Sequence, residues 1–195
     1  MNKYYLIYKP YGVVCQFSPT EAGPTLGTLF PFPKDVYPVG RLDKDSEGLL
    51  IITNDKLLHT NLLNPKNRHK RSYLVQVEGE PTGEKLDQLA KGVDIRIRKE
   101  TYRSKNCDVE LINDLRVKER NPPVRFRKNV PTYWIKMTLI EGKNRQIRKM
   151  TASVGLNTLR LIRSAIEELE INEMESGQCI ELGQGFIYER LRLNV

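Results

Sequence analysis

Three closely spaced carboxylates and two cations stand just before the apolar run in the stretch YPVGRLDKDSEGLLIITND, residues 37–55. Asp43, Asp45 and Glu47 alternate with other residues, and Arg41 and Lys44 lie among them. Carboxylates at this spacing suit three kinds of feature. They can bind a cation in a loop, decorate a solvated turn, or present one catalytic carboxylate where a loop meets a sheet.

The cation-binding interpretation fits this stretch poorly. The acids from Asp43 to Glu47 take the odd positions of an EF-hand-like register. The twelfth position, which needs a bidentate Glu, holds Asn54, and the second half of the register reads as a strand. His59 and His69 add too few ligands for a zinc site. We therefore expect no metal in this loop.

The catalytic interpretation draws support from the residues around the acids. The tetrapeptide from Gly40 to Asp43 follows Pro38 and leads into the apolar run. A rigid loop of this kind can hold one carboxylate beside a positive partner and keep it ionised at neutral pH. A solvated charged turn remains the alternative for the same residues.

A second cluster of chemistry-bearing residues lies in EGKNRQIRKM, residues 141–150. Here Gly142 turns the chain out of a strand, and a helix is predicted to begin among Asn144, Arg145, Arg148 and Lys149. Cations are poorly placed at a helix N-terminus, at a cost on the order of 0.3–1 kcal/mol each. The pattern therefore indicates an anion nearby, either phosphates or a buried aspartate.

The composition indicates an ordinary globular protein with a polyanionic partner. The chain has 195 residues, a formal net charge of +8 and a pI of about 9.4. Its three cysteines lie far apart without a CxxC pair, which favours reduced thiols in a soluble, cytoplasmic protein. We find no signal peptide, Walker loop or dinucleotide fingerprint, so we expect no cofactor and no membrane association.

The elements that must position these residues are mostly strands. The predicted strands are 4–8, 49–53, 72–79, 107–112 and 132–141, and the predicted helices are 54–64, 82–92 and 143–155. Strands and helices do not alternate regularly, which predicts an α+β fold around a mixed sheet. We expect residues 96–131, rich in charge and containing two adjacent prolines, to be an irregular excursion outside the core.

Four segments carry a resemblance to a known family. They are YKPYGV (8–13), VGRLDKDSEGLLIITND (39–55), RSYLVQVEG (71–79) and EGKNRQIRKMTASVG (141–155). In this order and spacing they resemble RNA pseudouridine synthases of the RsuA/RluB/RluE/RluF group. The segment NPPVRFRKNVPT is most similar to the E branch, which acts on large-subunit (23S) rRNA. Residues 96–107 depart from the DG-x-x-x-x-P-A pattern usual in the group.

The resemblance implies a fold. It implies a mostly antiparallel central sheet with flanking helices and no S4 RNA-binding domain. Residues 1–195 would form a single catalytic domain, arranged as one body or as two lobes that share the sheet with the active-site cleft between them.

The resemblance also implies residue roles. Asp43 would be the catalytic carboxylate that converts a flipped-out uridine to pseudouridine, by attacking C1′ or by deprotonating the ribose. Arg148 would pair with that aspartate and Tyr73 would stack on the base. Arg41 would shape the pocket or contact the phosphates that flank the flipped nucleotide. Backbone contacts to the RNA are expected from Lys9, Lys70, Arg71, Arg145 and Lys149, and from Arg120, Arg125, Arg127 and Lys128.

The expected partner is ribosomal RNA, free or in a subunit precursor, bound by a monomer. Two rival functions stay open at this point. One is an RNA- or ribosome-binding module without activity, and the other is a glycosidase-like hydrolase that uses Asp43 with Glu47. The joint presence of Asp43, Tyr73 and Arg148 favours the isomerase, because a binding module has no need of all three.

Overall fold

The computed structural model describes residues 1–125, 127–171 and 173–193. The chain divides into two compact units. The first unit combines Met1–His69 with Ile162–Val195, and the second is the continuous segment Lys70–Leu161. None of the described helices is long and apolar enough to cross a membrane.

The strands and helices run in chain order as follows: β1 (Tyr4–Lys9), α1 (Leu26–Leu29), β2 (Tyr37–Pro38), β3 (Glu47–Thr53), α2 (Lys56–Leu63), β4 (Arg71–Glu78), α3 (Gly83–Ala90), β5 (Asp94–Ile97), β6 (Glu100–Arg103), β7 (Asp108–Ile112), β8 (Thr132–Leu139), α4 (Gln146–Ser153), β9 (Asn157–Ile166), β10 (Leu169–Glu170), β11 (Cys179–Glu181) and α5 (Gln184–Arg190). A short 3₁₀ helix occupies Pro65–Asn67.

The first unit is built on β1, which pairs in antiparallel fashion with β11 on one side and β3 on the other. The far side of β3 pairs in parallel with the end of β9, where Glu47 lies opposite Ile162. All residues of β1 and β3 are buried. Burial on both faces explains why these strands read as continuous apolar runs instead of alternating patterns.

A buried carboxylate, Asp55, joins three elements of the first unit. It caps α2 by accepting hydrogen bonds from the backbone N–H groups of Leu57 (2.9 Å) and Leu58 (3.1 Å). It also accepts the hydroxyl groups of Tyr4 on β1 (2.7 Å) and Tyr188 on α5 (2.6 Å). Burial alone would raise the pKa of Asp55, but the hydrogen bonds outweigh it and hold the pKa below its usual value.

The second unit is an antiparallel sheet covered by helices. Strand β8 lies between β4 and β7, in a register that places Tyr73 opposite Met137, and β5 and β6 form a separate hairpin. Helix α4 packs beside β5, and α3 packs beside β7. The core of the unit includes Val75, Ile135 and Met150.

The prediction of an α+β fold with a mostly antiparallel sheet is confirmed, and so are the three predicted helices and five predicted strands. Residues alternate in burial along β8, where Ile135, Met137 and Leu139 are buried while Lys136 and Thr138 are partly exposed. Asp55 and Thr82 cap the helices that follow them. The arrangement of the two units as lobes of one domain stays a prediction.

Two parts of the fold differ from the sequence prediction. Strand β9 was missed because Arg160 and Arg163 interrupt its apolar pattern, although both are only 5% exposed. The irregular excursion predicted for 96–131 is wrong for its first part, which contains the end of β5, all of β6 and β7. The described residues between 113 and 131 contain no helix or strand, and residue 126 lies outside the described part.

The hydrogen bonds of Asp55 lead to a prediction about the free energy of unfolding. We expect Asp55→Ala to lower the free energy of unfolding by about 2–4 kcal/mol, because the helix cap is lost and two buried hydroxyl groups lose their acceptor. A depressed carboxyl pKa stabilises the fold above the unfolded pKa, and this contribution is lost as the pH falls through the folded pKa. Urea unfolding should therefore show the difference between wild type and variant shrinking below about pH 4.

The control for this measurement is the exposed acid Asp87 on α3. Asp87→Ala should change the free energy of unfolding by no more than about 0.5 kcal/mol. An equal loss for both variants, or a difference for Asp55→Ala that does not depend on pH, would contradict the assigned role of Asp55.

Candidate active site

The acidic loop, residues 39–46, lies between β2 and β3 and is fixed at both ends. At its start, the Val39 N–H donates to the Ile51 carbonyl at 2.8 Å, and at its end the Ser46 N–H donates to the Asp43 carbonyl at 3.0 Å. Leu42 between them is buried in the core of the first unit, and its N–H donates to the Cys15 sulfur at 3.3 Å. Asp43 is therefore carried half-buried on a loop whose backbone is held in place.

A buried lysine supports this loop from the inside of the first unit. Lys9 is 0% exposed, and its ammonium donates to the carbonyls of Pro10 (2.8 Å), Val13 (2.8 Å) and Lys44 (3.5 Å). The Lys44 carbonyl also accepts the N–H of Gly12 at 2.8 Å. The segment that contains Lys9 is thereby tied to the residue immediately after Asp43.

The environment of Lys9 changes the pKa of its ammonium group. Burial lowers the pKa of Lys9 to about 8, and the charges of Cys15, Glu47, Asp45 and Asp43 act in the opposite direction. The sequence prediction that Lys9 contacts the RNA backbone needs correction, because its ammonium is enclosed and holds main-chain carbonyls. Its role in the structure is to position the loop.

The other predicted charged residues in and next to the acidic loop differ in their exposure to solvent. Arg41 is exposed and Asp45 is half-buried, whereas Glu47 is only 1% exposed at the start of β3. Within residues 1–125, 127–171 and 173–193, no group of three or more His, Cys, Asp or Glu side chains could hold a metal ion.

Arg163 is a charged residue that sequence reasoning did not single out. It lies on β9 opposite Gly48, and its Nε donates to the Leu49 carbonyl at 2.8 Å. Among the described residues, its buried Nη2 atom has no hydrogen-bond partner. Gly48 is required here, because a Cβ at this position would lie 2.3 Å from the Arg163 carbonyl oxygen. The sequence does hold a signal for a buried arginine, because two arginines lie within the otherwise largely apolar run TLRLIRSAI.

The remaining predicted site residues belong to the second unit. Tyr73 is half-buried on β4 and packs against the core of the unit. Arg71 begins β4 opposite Leu139, and Lys70 precedes it as an exposed residue. Beyond these, Arg127 forms an ion pair with Glu78 at 2.9 Å.

Helix α4 carries three of the predicted cations at its start. Arg145 is its exposed N-cap residue with a left-handed backbone (φ +51°), and Lys149 is half-buried one turn later. Arg148 is also half-buried, and its Nη1 donates to the Thr158 carbonyl at 3.3 Å. The structure thus groups Lys9, Arg41 and Asp43 in the first unit, and Lys70, Arg71, Tyr73, Arg145, Arg148 and Lys149 in the second.

Sequence reasoning also missed Glu141, which organises the turn before α4. Its carboxylate accepts the Tyr102 hydroxyl (2.6 Å), the Lys105 N–H (2.9 Å) and the Gln146 amide (2.5 Å). Burial alone would raise the pKa of Glu141, but these hydrogen bonds hold it below its usual value. The same interaction raises the pKa of Tyr102 to about 12.

Residues 3–153 match the family model described as RNA pseudouridylate synthase. The chain belongs to the RNA pseudouridine synthase family. The resemblance found in the sequence is therefore confirmed, and the protein is an isomerase of the pseudouridine synthase class.

Relatives agree with this assignment. The chain is 43% identical to ribosomal large subunit pseudouridine synthase E of Vibrio parahaemolyticus over 93% of this chain and 74% of that protein. It is 44% identical to the enzyme of the same name from Xanthomonas campestris, over 89% and 91% of the two chains. The fold superposes on a crystal structure of a pseudouridylate synthase with a TM-score of 0.79 and 26% identity, covering 98% of this chain and 74% of that one.

The role of Lys9 can be tested without measuring activity. Lys9→Met keeps the length of the side chain but removes its donors, and lost buried hydrogen bonds cost about 1–3 kcal/mol. Local opening of the acidic loop should then expose the Cys15 thiol. In a background with Cys107→Ser and Cys179→Ser, we expect iodoacetamide to alkylate Cys15 roughly tenfold faster than without Lys9→Met.

Lys34→Met in the same background is the matched control, because Lys34 is exposed. It should leave the Cys15 alkylation rate unchanged. A Lys9→Met protein that folds with an unchanged Cys15 rate would show that Lys9 does not hold the loop.

Proposed function

We propose that this pseudouridine synthase isomerises a specific uridine of ribosomal RNA, in the 23S rRNA of the large subunit. The observation that carries the proposal is the identity of 43–44% to relatives named ribosomal large subunit pseudouridine synthase E. The net charge of +8 suits a polyanionic substrate. The enzyme is proposed to act as a monomer in the cytoplasm, on free rRNA or on a subunit precursor.

Asp43 is proposed as the catalytic carboxylate. In the isomerisation the N1–C1′ bond of uridine breaks and a C5–C1′ bond forms, while C5 loses a proton and N1 gains one. A carboxylate can start this exchange by attacking C1′ or by removing a proton from the ribose, and both routes remain open. The hydrogen bonds of the backbone around Asp43 support the proposal, because they hold the loop in place before substrate binds.

The target nucleotide must leave its stack to reach such a carboxylate, which costs a few kcal/mol. Tyr73 is proposed to recover part of that cost by stacking on the extruded base, worth about 1–3 kcal/mol per base. Arg41, an exposed residue of the acidic loop, is proposed to shape the pocket or to contact the phosphates that flank the nucleotide.

A guanidinium is proposed to keep Asp43 ionised. The sequence favours Arg148 for this role. Arg163 is a second candidate, because it is a buried cation in the same unit as Asp43 and its Nη2 atom has no hydrogen-bond partner among the described residues. Mutating the two arginines separately will distinguish the candidates.

Lys70, Arg71, Arg145 and Lys149 are proposed to contact the RNA backbone. All four retain some exposure, so their charged groups are accessible to phosphates. Each phosphate contact adds about 0.7 to the slope of log affinity against log salt for single-stranded RNA. Binding should therefore weaken steeply as salt is raised.

The hydrolase alternative is disfavoured by the burial of Glu47. A glycosidase-like mechanism would need this carboxylate to activate a water molecule beside the sugar. Glu47 is only 1% exposed and begins a strand that is buried along its whole length. The binding-module alternative is separated from the isomerase by the next experiment.

The decisive assay uses a 23S rRNA transcript that carries tritium at uridine C5. We expect wild-type protein to release tritium into water and Asp43→Asn to release none, because the reacting carboxylate is lost. RNA binding by this variant should stay within about tenfold of wild type, since Asp43 adds no phosphate contact. Asp45→Asn, the matched control in the same loop, should keep most of the activity.

Release of free uracil would indicate hydrolysis instead of isomerisation. Tight binding by wild type without tritium release, on naked, precursor and subunit-assembled rRNA alike, would favour a binding module and overturn the proposed function.

The arginine assignment is tested by single-turnover kinetics. Arg148→Ala should lower the rate of pseudouridine formation by about 100-fold or more while RNA affinity changes little, because an ion pair with the catalytic group acts on the chemical step. A defect confined to affinity would assign Arg148 to a phosphate. If Arg163→Lys then slows the chemical step, Arg163 is the guanidinium that acts on Asp43.

A further inference from the structure

The basic hairpin, residues 94–105, is a charged surface that the roles proposed above do not use. It comprises β5, the two-residue turn, β6 and the two residues after β6. Its five cations are all exposed, and only two acids accompany them: Arg96, Arg98, Lys99, Arg103 and Lys105 against Asp94 and Glu100. The segment therefore carries an excess of three positive charges at the surface of the second unit.

The strand register separates the two faces of the basic hairpin. Ile95 pairs with Tyr102, and both pack toward the core of the second unit. Arg96 pairs with Thr101 and Asp94 with Arg103, so these residues alternate onto the opposite, exposed face. The register thus places Arg96 and Arg103 on the exposed face.

The turn and the exposed face leave these charges available to a partner. Arg98 has a left-handed backbone (φ +57°) and, with Lys99, forms the tip of the hairpin. Arg103 pairs with Asp94 at 3.7 Å, but both side chains are about 60% exposed, so the pair adds little stability.

The base of the basic hairpin is closed tightly. The Val93 N–H donates to the Ser104 hydroxyl at 2.8 Å, and the Ser104 N–H donates to the Val93 carbonyl at 2.9 Å. A Cβ on Gly92 would lie 2.2 Å from the Ser104 carbonyl oxygen, so the chain approaches itself as closely as glycine permits. A pre-ordered element of this kind loses little conformational entropy when it binds.

Glu141 joins the basic hairpin to the start of α4. Its carboxylate accepts the Tyr102 hydroxyl and the Lys105 N–H from the hairpin, and the Gln146 amide from α4. The Lys143 ammonium lies 5.1 Å from the centre of the Tyr102 ring, which adds a cation–π contact across the same junction. The position of the hairpin therefore affects the turn that carries Arg145.

We propose that the exposed face of the basic hairpin binds the RNA backbone, and that Tyr102 and Glu141 are positioning residues that hold it in register with α4. The inference rests on the proposed function, in which the substrate is ribosomal RNA. Charge and rigidity support phosphate as the ligand, because the hairpin offers five exposed cations while none of its large hydrophobic residues is exposed.

The test compares two triple variants that remove the same charge. The first, R96Q/R98Q/K99Q, neutralises the hairpin tip. The control, K34Q/K56Q/R190Q, removes three exposed cations from the first unit. Filter binding to the 23S rRNA transcript is measured between about 50 and 200 mM salt, with circular dichroism to confirm folding.

We expect the hairpin variant to lose about tenfold or more in affinity and to show a salt slope smaller by about 2, since each lost phosphate contact removes about 0.7. The control should bind within about twofold of wild type. Equal losses in both variants would overturn the proposal, because they would report net charge alone. Unchanged binding to naked rRNA, with loss only on assembled subunits, would indicate a protein partner and would also overturn it.

Tyr102→Phe tests the positioning role, because it keeps the ring and removes the hydrogen bond to Glu141. We expect KM to rise by about three- to tenfold with kcat unchanged, since a displaced hairpin weakens binding without touching the chemical step. A fall in kcat with constant KM would contradict this role.

Failure of this inference is distinguishable from failure of the proposed function. If wild type releases no tritium while the hairpin variant still loses affinity, the proposed reaction is wrong and the binding surface stands. If wild type releases tritium and the hairpin variant binds like wild type, the binding surface alone is wrong.

Discussion

The ammonium of Lys9 binds three main-chain carbonyls inside the first unit, and one of them belongs to the residue that follows Asp43. Taking an ammonium group out of water costs several kcal/mol, and here three acceptors match the three donors of the group. The charge would be poorly tolerated without those carbonyls, and the carbonyls would lack a common donor without the charge. The shape of the acidic loop, and with it the presentation of Asp43, depends on this interaction.

Each unit uses a buried or half-buried carboxylate to join elements that are distant in sequence. In the first unit, Asp55 collects two tyrosine hydroxyl groups and two helix N–H groups. In the second unit, Glu141 collects the hydroxyl of Tyr102, a backbone N–H and the amide of Gln146. In both cases the hydrogen bonds lower the pKa of the carboxyl group and outweigh the effect of burial. Each acid therefore joins its elements in the ionised form.

The sequence predicted elements well wherever apolar residues followed a period, and poorly wherever charge was buried. Strand β9 was not predicted because arginines such as Arg160 and Arg163 usually lie at the surface, although both are buried here. Lys9 was predicted to contact RNA for the same reason, since the sequence shows that a residue is charged but not that its side chain is buried. The helix that Asp55 caps was predicted because capping depends on local sequence, whereas the two tyrosine partners of Asp55 come from distant segments.

The division of the chain has a consequence for biosynthesis. The second unit is continuous, so all of its residues are synthesised before Ile162–Val195, the second part of the first unit. Strand β1 must wait for β11, and Asp55 must wait for Tyr188, before their pairings can form. The segment that carries Asp43 is thus synthesised before the second unit but lies in a unit that can be completed only after it, so the acidic loop gains its full support late in folding.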